Sequence, residues 1–330
     1  MDYKRGLGDG HEHRRRKSHH RGHRRFSGRR PSKTRFVDGV GRSLQDVGFF
    51  ALVGHDVDCD FREKAYAESK GFFSLTDDDK RTCLDESKKG QRGFTAFGTE
   101  HAKGSSAADL KEFYQVGRVD VPDDHPVHAE YGGNIWPTTL RPEFGPTMSE
   151  LYRRLDRLGK DVLRACALYL GEEEDFFHEM VKGGDTILRV IHYPAIGDVP
   201  AGATRAGAHE DINLITLLIG ASAGGLELLQ RDDTWLPVKA GYDEIVIDSG
   251  DMIQNLSNGR FKSTTHRVVV PEGESKYEPR FSIPCFIHPS AKSDLTPRPA
   301  SVAATDGEAK YPSTTAGAYL EKRLKEIGLM

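Results

Sequence analysis

The 330-residue chain reads as mainly β with flanking α: a jelly-roll-like double sheet, with supporting helices before it and one helix after it. Three observations predict this class. Between Thr186 and His288 come the short runs "TILRVIHYP", "INLITLLIG", "GLELLQ", "TWLPV", "EIVIDSGDMIQNLS", "THRVVV" and "RFSIPCFIH", divided by Gly, Asp and Pro with no helical period between them. The stretch before them carries helical spacing instead. Helical spacing returns in "TAGAYLEKRLKEIGL" near the C-terminus.

Taken in order, the first 35 residues stand apart. They hold 13 Lys or Arg against Asp2, Asp9 and Glu12, a balance of +10 that leaves −13 for the remainder of a chain whose net charge is −3. "HEHRRRKSHHRGHRRFSGRRPSK" has almost no apolar residue to offset the entropy of folding, so residues 1–35 are expected to form a disordered basic tail. Such a tail could meet nucleic acid, an acidic surface or, through its five histidines, a metal; an incidental N-terminus is the plainer reading. Residues 36–330 then make a single domain.

Within it, Phe36, Val40, Leu44 and Val47 fall on one helical stripe ahead of a short apolar strand, "FFAL". A second helix is predicted over "FREKAYAESKGFFSL" with Asp60 as its cap. From Glu86 to Gly117 the Gly, Ser and Lys content predicts one long loop, with Phe94 and Phe97 interspersed. Leu151, Leu155, Leu158, Val162, Ala165 and Tyr169 mark an amphipathic helix over 148–170. Support therefore fills 36–180, the jelly-roll core 181–290, and a C-terminal segment with its helix, capped by Thr314 or Thr315, 291–330.

At 37% hydrophobic the chain can bury a substantial core. No apolar run approaches the roughly 20 residues that span a bilayer, so a cytoplasmic protein with no membrane partner is expected. Cys59, Cys83, Cys166 and Cys285 lack paired spacing, which argues against a zinc ribbon or redox pair.

The chemistry gathers in the strand region. In "AHEDINLITLLIG", read as one strand, His209 and Asp211 share a face while Glu210 points away. An isolated His-x-Asp is ordinarily a strand-end polar pair. His266 in "STTHRVVV" supplies a second imidazole on another strand, and two imidazoles with one carboxylate make the facial triad of non-haem Fe(II) oxygenases. Further on, Arg280 and Ser282 in "YEPRFS" share a strand face and could clamp a carboxylate. Asp248 and Asp251 read as turn formers, as do Asn255 and Asn258, while Arg267 reads as structural.

Together with "DVGFFALVGHDVD", "GQRGFTAFGTEHAKG", "LKEFYQVGR", "LRVIHYP", "GGLELLQRDDTWLPV", "DSGDMIQNLSNGRFKSTTHRV" and "RFSIPCFIHP", these segments resemble the isopenicillin N synthase-like Fe(II)/2-oxoglutarate-dependent dioxygenases over nearly all of 36–329. The resemblance implies a double-stranded β-helix core, with His209, Asp211 and His266 as iron ligands. It also implies that Arg280 and Ser282 hold the distal carboxylate of 2-oxoglutarate and that Tyr193 binds a carboxylate near the metal. O2 would be the oxidant, a small metabolite the substrate and ascorbate a supporting reductant. By the same resemblance the long loop covers the site, which makes Arg92, Phe94, Phe97 and Glu112 candidates for substrate contact. Ile191 stands where many members carry an Asn, and the basic tail stands where they carry a first strand. Two other readings are an oxidase that uses O2 without 2-oxoglutarate, and a non-catalytic binding protein whose tail holds nucleic acid.

Overall fold

The computed structural model describes residues 25–26, 32–88, 90–100, 109–121, 132–195, 204–241, 243–270 and 278–326. Its strands are β1 (Arg25–Phe26), β2 (Phe49–Leu52), β3 (Gly93–Thr95), β4 (Glu112–Val116), β5 (Ile187–Tyr193), β6 (Ala206–His209), β7 (Ile215–Ile219), β8 (Leu226–Leu229), β9 (Trp235–Pro237), β10 (Ile245–Ser249), β11 (His266–Val268) and β12 (Arg280–Ile287). They form two sheets, one ordered β1-β2-β10-β7-β12-β5-β4-β3 and the other β6-β11-β8-β9. Strands from alternate points in the chain thus become neighbours, and apart from the parallel β1–β2 pair the ladders are antiparallel.

Helices α1 (Lys33–Asp46), α2 (Cys59–Phe73) and α4 (Phe144–Leu170) cover one face of the larger sheet, with the short α3 (Asp77–Arg81) and α5 (Phe176–Val181) beside them. Pleating sorts each strand's residues between two cores. Phe281, Ile283, Cys285 and Ile287 of β12 join Tyr114, Leu188, Val190, Leu217 and the helices in one. Phe113, Ile191, Tyr193 and Val246 turn the other way, meeting Ala206, Leu226, Leu228 and Val268 of the smaller sheet. The second set lines the space between the sheets, so whatever shares its face looks into the barrel.

Several expectations change. Asp58, not Asp60, caps α2: its carboxylate accepts from the Phe61 amide at 2.8 Å, while Asp60 sits in the first turn and favours it through the helix dipole. The Gly- and Ser-rich stretch expected as one loop contains β3 and β4, paired Phe94 to Tyr114. "AHEDINLITLLIG" is not one strand: β6 ends at His209 in the smaller sheet, β7 begins at Ile215 in the larger, and 210–214 turns the corner between them. The asparagines placed in a strand turn follow β10 into helix α6 (Asp251–Leu256); Asn255 lies inside it, and Asn258 takes a left-handed φ of 51° just after it. Asp248 is a buried residue of β10 and Asp251 opens α6, so neither makes the turn expected of it. Two elements, β1 and the start of α1 at Lys33, fall within the stretch expected as tail; residues 1–24 and 27–31 lie outside the described residues. After β12 come α7 (Pro299–Ala303) and α8 (Ala316–Glu326), the latter capped by Thr315. No described helix is long and apolar enough to cross a membrane.

Helix α1 crosses α4 at Gly41, where a Cβ would lie 2.0 Å from Cγ of Tyr169. Gly41→Ala is expected to cost about 1–3 kcal/mol of stability through overpacking, despite Ala's better helix propensity. A urea midpoint equal to wild type would show that the crossing is loose.

Candidate active site

β6 and β11 pair so that His209 stands directly across from His266, their ring centroids 4.4 Å apart. The corner that follows β6 brings Asp211 beneath them. Its Oδ1 lies 3.7 Å from Nε2 of His209 and 3.8 Å from Nε2 of His266, and the three ligand atoms are all within 4.8 Å of one another. Asp211 is buried, whereas the His209 side chain is 39% exposed and opens toward the mouth of the barrel.

Each imidazole is oriented from behind. Nδ1 of His209 lies 2.7 Å from the Gly207 carbonyl, and Nδ1 of His266 lies 3.1 Å from that of Thr264. A carbonyl oxygen only accepts, so both Nδ1 atoms carry the proton and both Nε2 atoms present lone pairs. Two lone pairs and a carboxylate oxygen converge with no donor among them. That arrangement repels itself and is what a divalent cation of borderline softness would relieve, so the residues fit Fe(II). Burial, followed by the neighbouring His266, lowers the His209 pKa to about 4, against the pull of Asp211. His209 is therefore neutral at physiological pH, as a ligand must be.

The carboxylate is fixed in turn. Thr216 donates to Oδ2 of Asp211 and accepts from Asn213 at 2.8 Å. Asp248 pairs with Thr216 across β10 and β7; burial, then the Asp211 charge, drive its pKa well above the carboxylate range, so it stays protonated and adds no second negative charge. Gly250 packs where a Cβ would come within 2.3 Å of the Asn213 side chain, so only glycine lets the backbone pass under the corner.

Glu210, between two members of the triad, faces outward and takes part in a different set of contacts. It accepts from Thr265, the residue before His266, and pairs with Arg323 of α8 at 3.5 Å. Arg323 also pairs with Asp251 at 3.0 Å, and the Asp251 amide donates to the Asp211 carbonyl at 2.8 Å. Every segment that carries a triad residue is tied into this outer ring.

Across the barrel, Arg280 pairs with Tyr193 and Ser282 with Ile191 between β12 and β5. Both are buried, and the Arg280 guanidinium lies 4.9 Å from the Tyr193 ring centre. Beside His209 sits an ionic cluster that sequence reading missed: Glu100 pairs with Lys111 at 3.1 Å and with Arg189 at 3.2 Å, and Lys111 pairs with Asp109 at 2.9 Å. Burial alone would raise Glu100, but Arg189 and then Lys111 outweigh it and hold it down at about 2.

The residues expected to touch substrate are placed elsewhere. Glu112 pairs with Lys80 at 2.8 Å and His192 at 2.7 Å, on the helix-facing side of β4. Phe94 joins the helix-side core next to Phe72, and Arg92 is buried with its guanidinium 2.6 Å from Asp185. Phe97 is 49% exposed. Arg92, Phe94 and Glu112 thus have partners apart from the triad, while Phe97 adjoins Gly98, whose amide donates to the Lys111 carbonyl at 3.2 Å. Arg267 is structural as expected, paired with Glu227 at 2.8 Å.

A double-sheet barrel with two imidazoles and a carboxylate in its mouth defines the facial-triad metalloenzymes. Known proteins narrow the class. Residues 23–139 match the family model described as non-haem dioxygenase in morphine synthesis N-terminal, and 184–289 match that of the 2OG-Fe(II) oxygenase superfamily. A 2-oxoglutarate-Fe(II) type oxidoreductase of Aspergillus fumigatus is 33% identical over 264 residues, 77% of each chain. Among solved structures, a 2OG-Fe(II) oxygenase family protein from Caulobacter crescentus superposes with TM-score 0.82 at 40% identity, covering 92% of this chain and 98% of that one. A full-length Neurospora crassa protein, solved in complex with alpha-KG and thymine, superposes with TM-score 0.78 at 31% identity, covering 89% and 92%. The chain belongs to the isopenicillin N synthase-like 2-oxoglutarate- and Fe(II)-dependent oxygenases. It is thus an oxidoreductase with a double-stranded β-helix core, served by Fe(II) and 2-oxoglutarate with O2 as cosubstrate, and the reading without 2-oxoglutarate gives way.

Two outcomes follow from these contacts. Glu210→Ala is expected to weaken Mn(II) binding, measured by calorimetry, by roughly 10- to 100-fold as the outer ring loosens; unchanged affinity would make that ring irrelevant to the corner. Glu100 has a folded pKa below its ordinary 4.5, so its contribution, about 3 kcal/mol, is complete above pH 4.5 and lost as pH falls through 2. Glu100→Gln should then unfold more easily at pH 7 yet lose less stability than wild type on acidification. Parallel stability curves for the two proteins would contradict this.

Proposed function

We propose that the enzyme couples decarboxylation of 2-oxoglutarate to oxidation of a C–H bond in a small metabolite, with His209, Asp211 and His266 as the three protein ligands of iron. The observation that carries this is the pair of imidazoles whose Nδ1 protons are committed to backbone carbonyls, leaving both Nε2 lone pairs aimed at one carboxylate. Bound at this triad, Fe(II) with 2-oxoglutarate supplies the O2-driven oxidation, the keto acid leaving as succinate and CO2. The protein's part is to hold and orient. Thr216 and protonated Asp248 keep Asp211 in place, and the outer ring keeps the corner from rotating. Arg280 and Ser282 hold the distal carboxylate of the keto acid, with Tyr193 beside them.

The substrate enters over His209, the exposed member of the triad. It meets an apolar wall of Phe49, Phe113, Leu226 and Leu228 and a polar flank where Lys111, Glu100 and Arg189 pair. Those surroundings favour a compact molecule with an apolar body and a polar edge. The thymine held by the Neurospora relative supports a ligand of that size.

His209→Ala and Asp211→Ala are each expected to abolish succinate formation from 2-oxoglutarate under Fe(II) and O2, and to remove Mn(II) binding, with the fold retained by circular dichroism. Retention of wild-type turnover in either variant would overturn the ligand assignment.

A further inference from the structure

Two fully buried arginines lie close to the start of β12, and the sequence singled out only one. Arg205 immediately precedes β6. It is 1% exposed, as is Arg280. One of its donors is used: Nη2 donates to the Glu278 carbonyl at 2.9 Å, which anchors it two residues upstream of Arg280 on the same strand approach. Arg280 likewise uses Nε on the Ala223 carbonyl at 3.2 Å.

Three of the remaining donors are unused among the described residues. Among the described residues, Nε and Nη1 of Arg205 and Nη1 of Arg280 are buried without a hydrogen-bond partner, and no carboxylate pairs with either guanidinium. Other buried cations near the site are matched: Lys111 by Glu100 and Asp109, and Arg189 by Glu100. Burial, then the charge of Arg280, even lowers the pKa of Arg205, so the two guanidinium groups feel each other across this space. Two buried positive charges with unused donors are costly unless an anion completes them.

We infer that Arg205 is a second guanidinium of the 2-oxoglutarate site, donating with Arg280 to the distal carboxylate of the keto acid. The inference rests on the proposed assignment of Arg280 and Ser282 to that carboxylate. One planar fork donates to a carboxylate along one edge; a second guanidinium can donate to the lone pairs that the first leaves free. The pairing makes the site selective for a five-carbon keto diacid over a keto monoacid, because the monoacid leaves both arginines unpaired. Arg205 is a binding residue here and takes no part in the oxidation itself.

The test is a binding measurement on Mn(II)-loaded full-length protein without O2, using 2-oxoglutarate and 2-oxopentanoate, which has the same chain length but no distal carboxylate. Wild type is expected to prefer 2-oxoglutarate. Arg205→Gln should weaken 2-oxoglutarate about 10- to 100-fold, the loss of charge-assisted hydrogen bonds, and leave 2-oxopentanoate within about twofold. Arg205→Lys, which restores charge without the fork, should fall between. The unchanged 2-oxopentanoate affinity shows that the variant's site is intact. Equal 2-oxoglutarate affinity in wild type and Arg205→Gln would overturn the role of Arg205 alone, and so would a parallel loss for both acids. Wild type that does not distinguish the two acids would overturn the distal-carboxylate site altogether.

Discussion

Everything in the site depends on holding three electron-rich atoms together that repel one another. Two Nε2 lone pairs and a carboxylate oxygen stay within a few ångströms because the backbone leaves them no alternative. The imidazoles are locked as cross-strand partners, each braced by a carbonyl two residues earlier, and the carboxylate is locked by a chain reversal between sheets. Folding energy from the two apolar cores thus maintains an arrangement that is unfavourable by itself, and this stored repulsion is what a cation would release. Protonation of Asp248 follows from the same constraint: a second carboxylate charge beside Asp211 would add repulsion that no neighbouring cation offsets.

Much of the site was legible before the structure. His209, Asp211, His266, Arg280 and Ser282 stood out because metal and carboxylate chemistry restrict which side chains can serve, and their order along the chain matched a known family. The reason His209, Asp211 and His266 meet was less legible. A strand face was a sound argument for His209 and Asp211, yet alternation cannot foresee that a chain leaves one sheet after His209 and joins another at Ile215. Polar letters at a strand mouth look the same whether the strand begins there or a corner does.

The misplaced elements have a common cause. β3 and β4 hid in a stretch rich in Gly, Ser and Lys because their polar residues are buried in pairs, as with Glu112 between Lys80 and His192, and composition cannot distinguish a paired charge from a solvated one. The same blindness concealed Arg205, which in sequence is one arginine in a small-residue run; its meaning lies in two buried donors left unused among the described residues, and those are visible only in three dimensions. Asp248 and Asp251 read as turn residues because Asp-Ser-Gly-Asp suits a turn, but Gly250 also starts a helix whose first amide bonds the Asp211 carbonyl.

Arg323 gives the last described helix an unexpected reach. Because its guanidinium bridges Glu210 and Asp251, α8 is fastened to the back of the corner that carries Asp211. The far end of α8 is therefore a poor place for a purification handle or a fusion partner: load applied there is transmitted through Arg323 and Tyr319, both joined to Asp251, toward the geometry of the reaction centre.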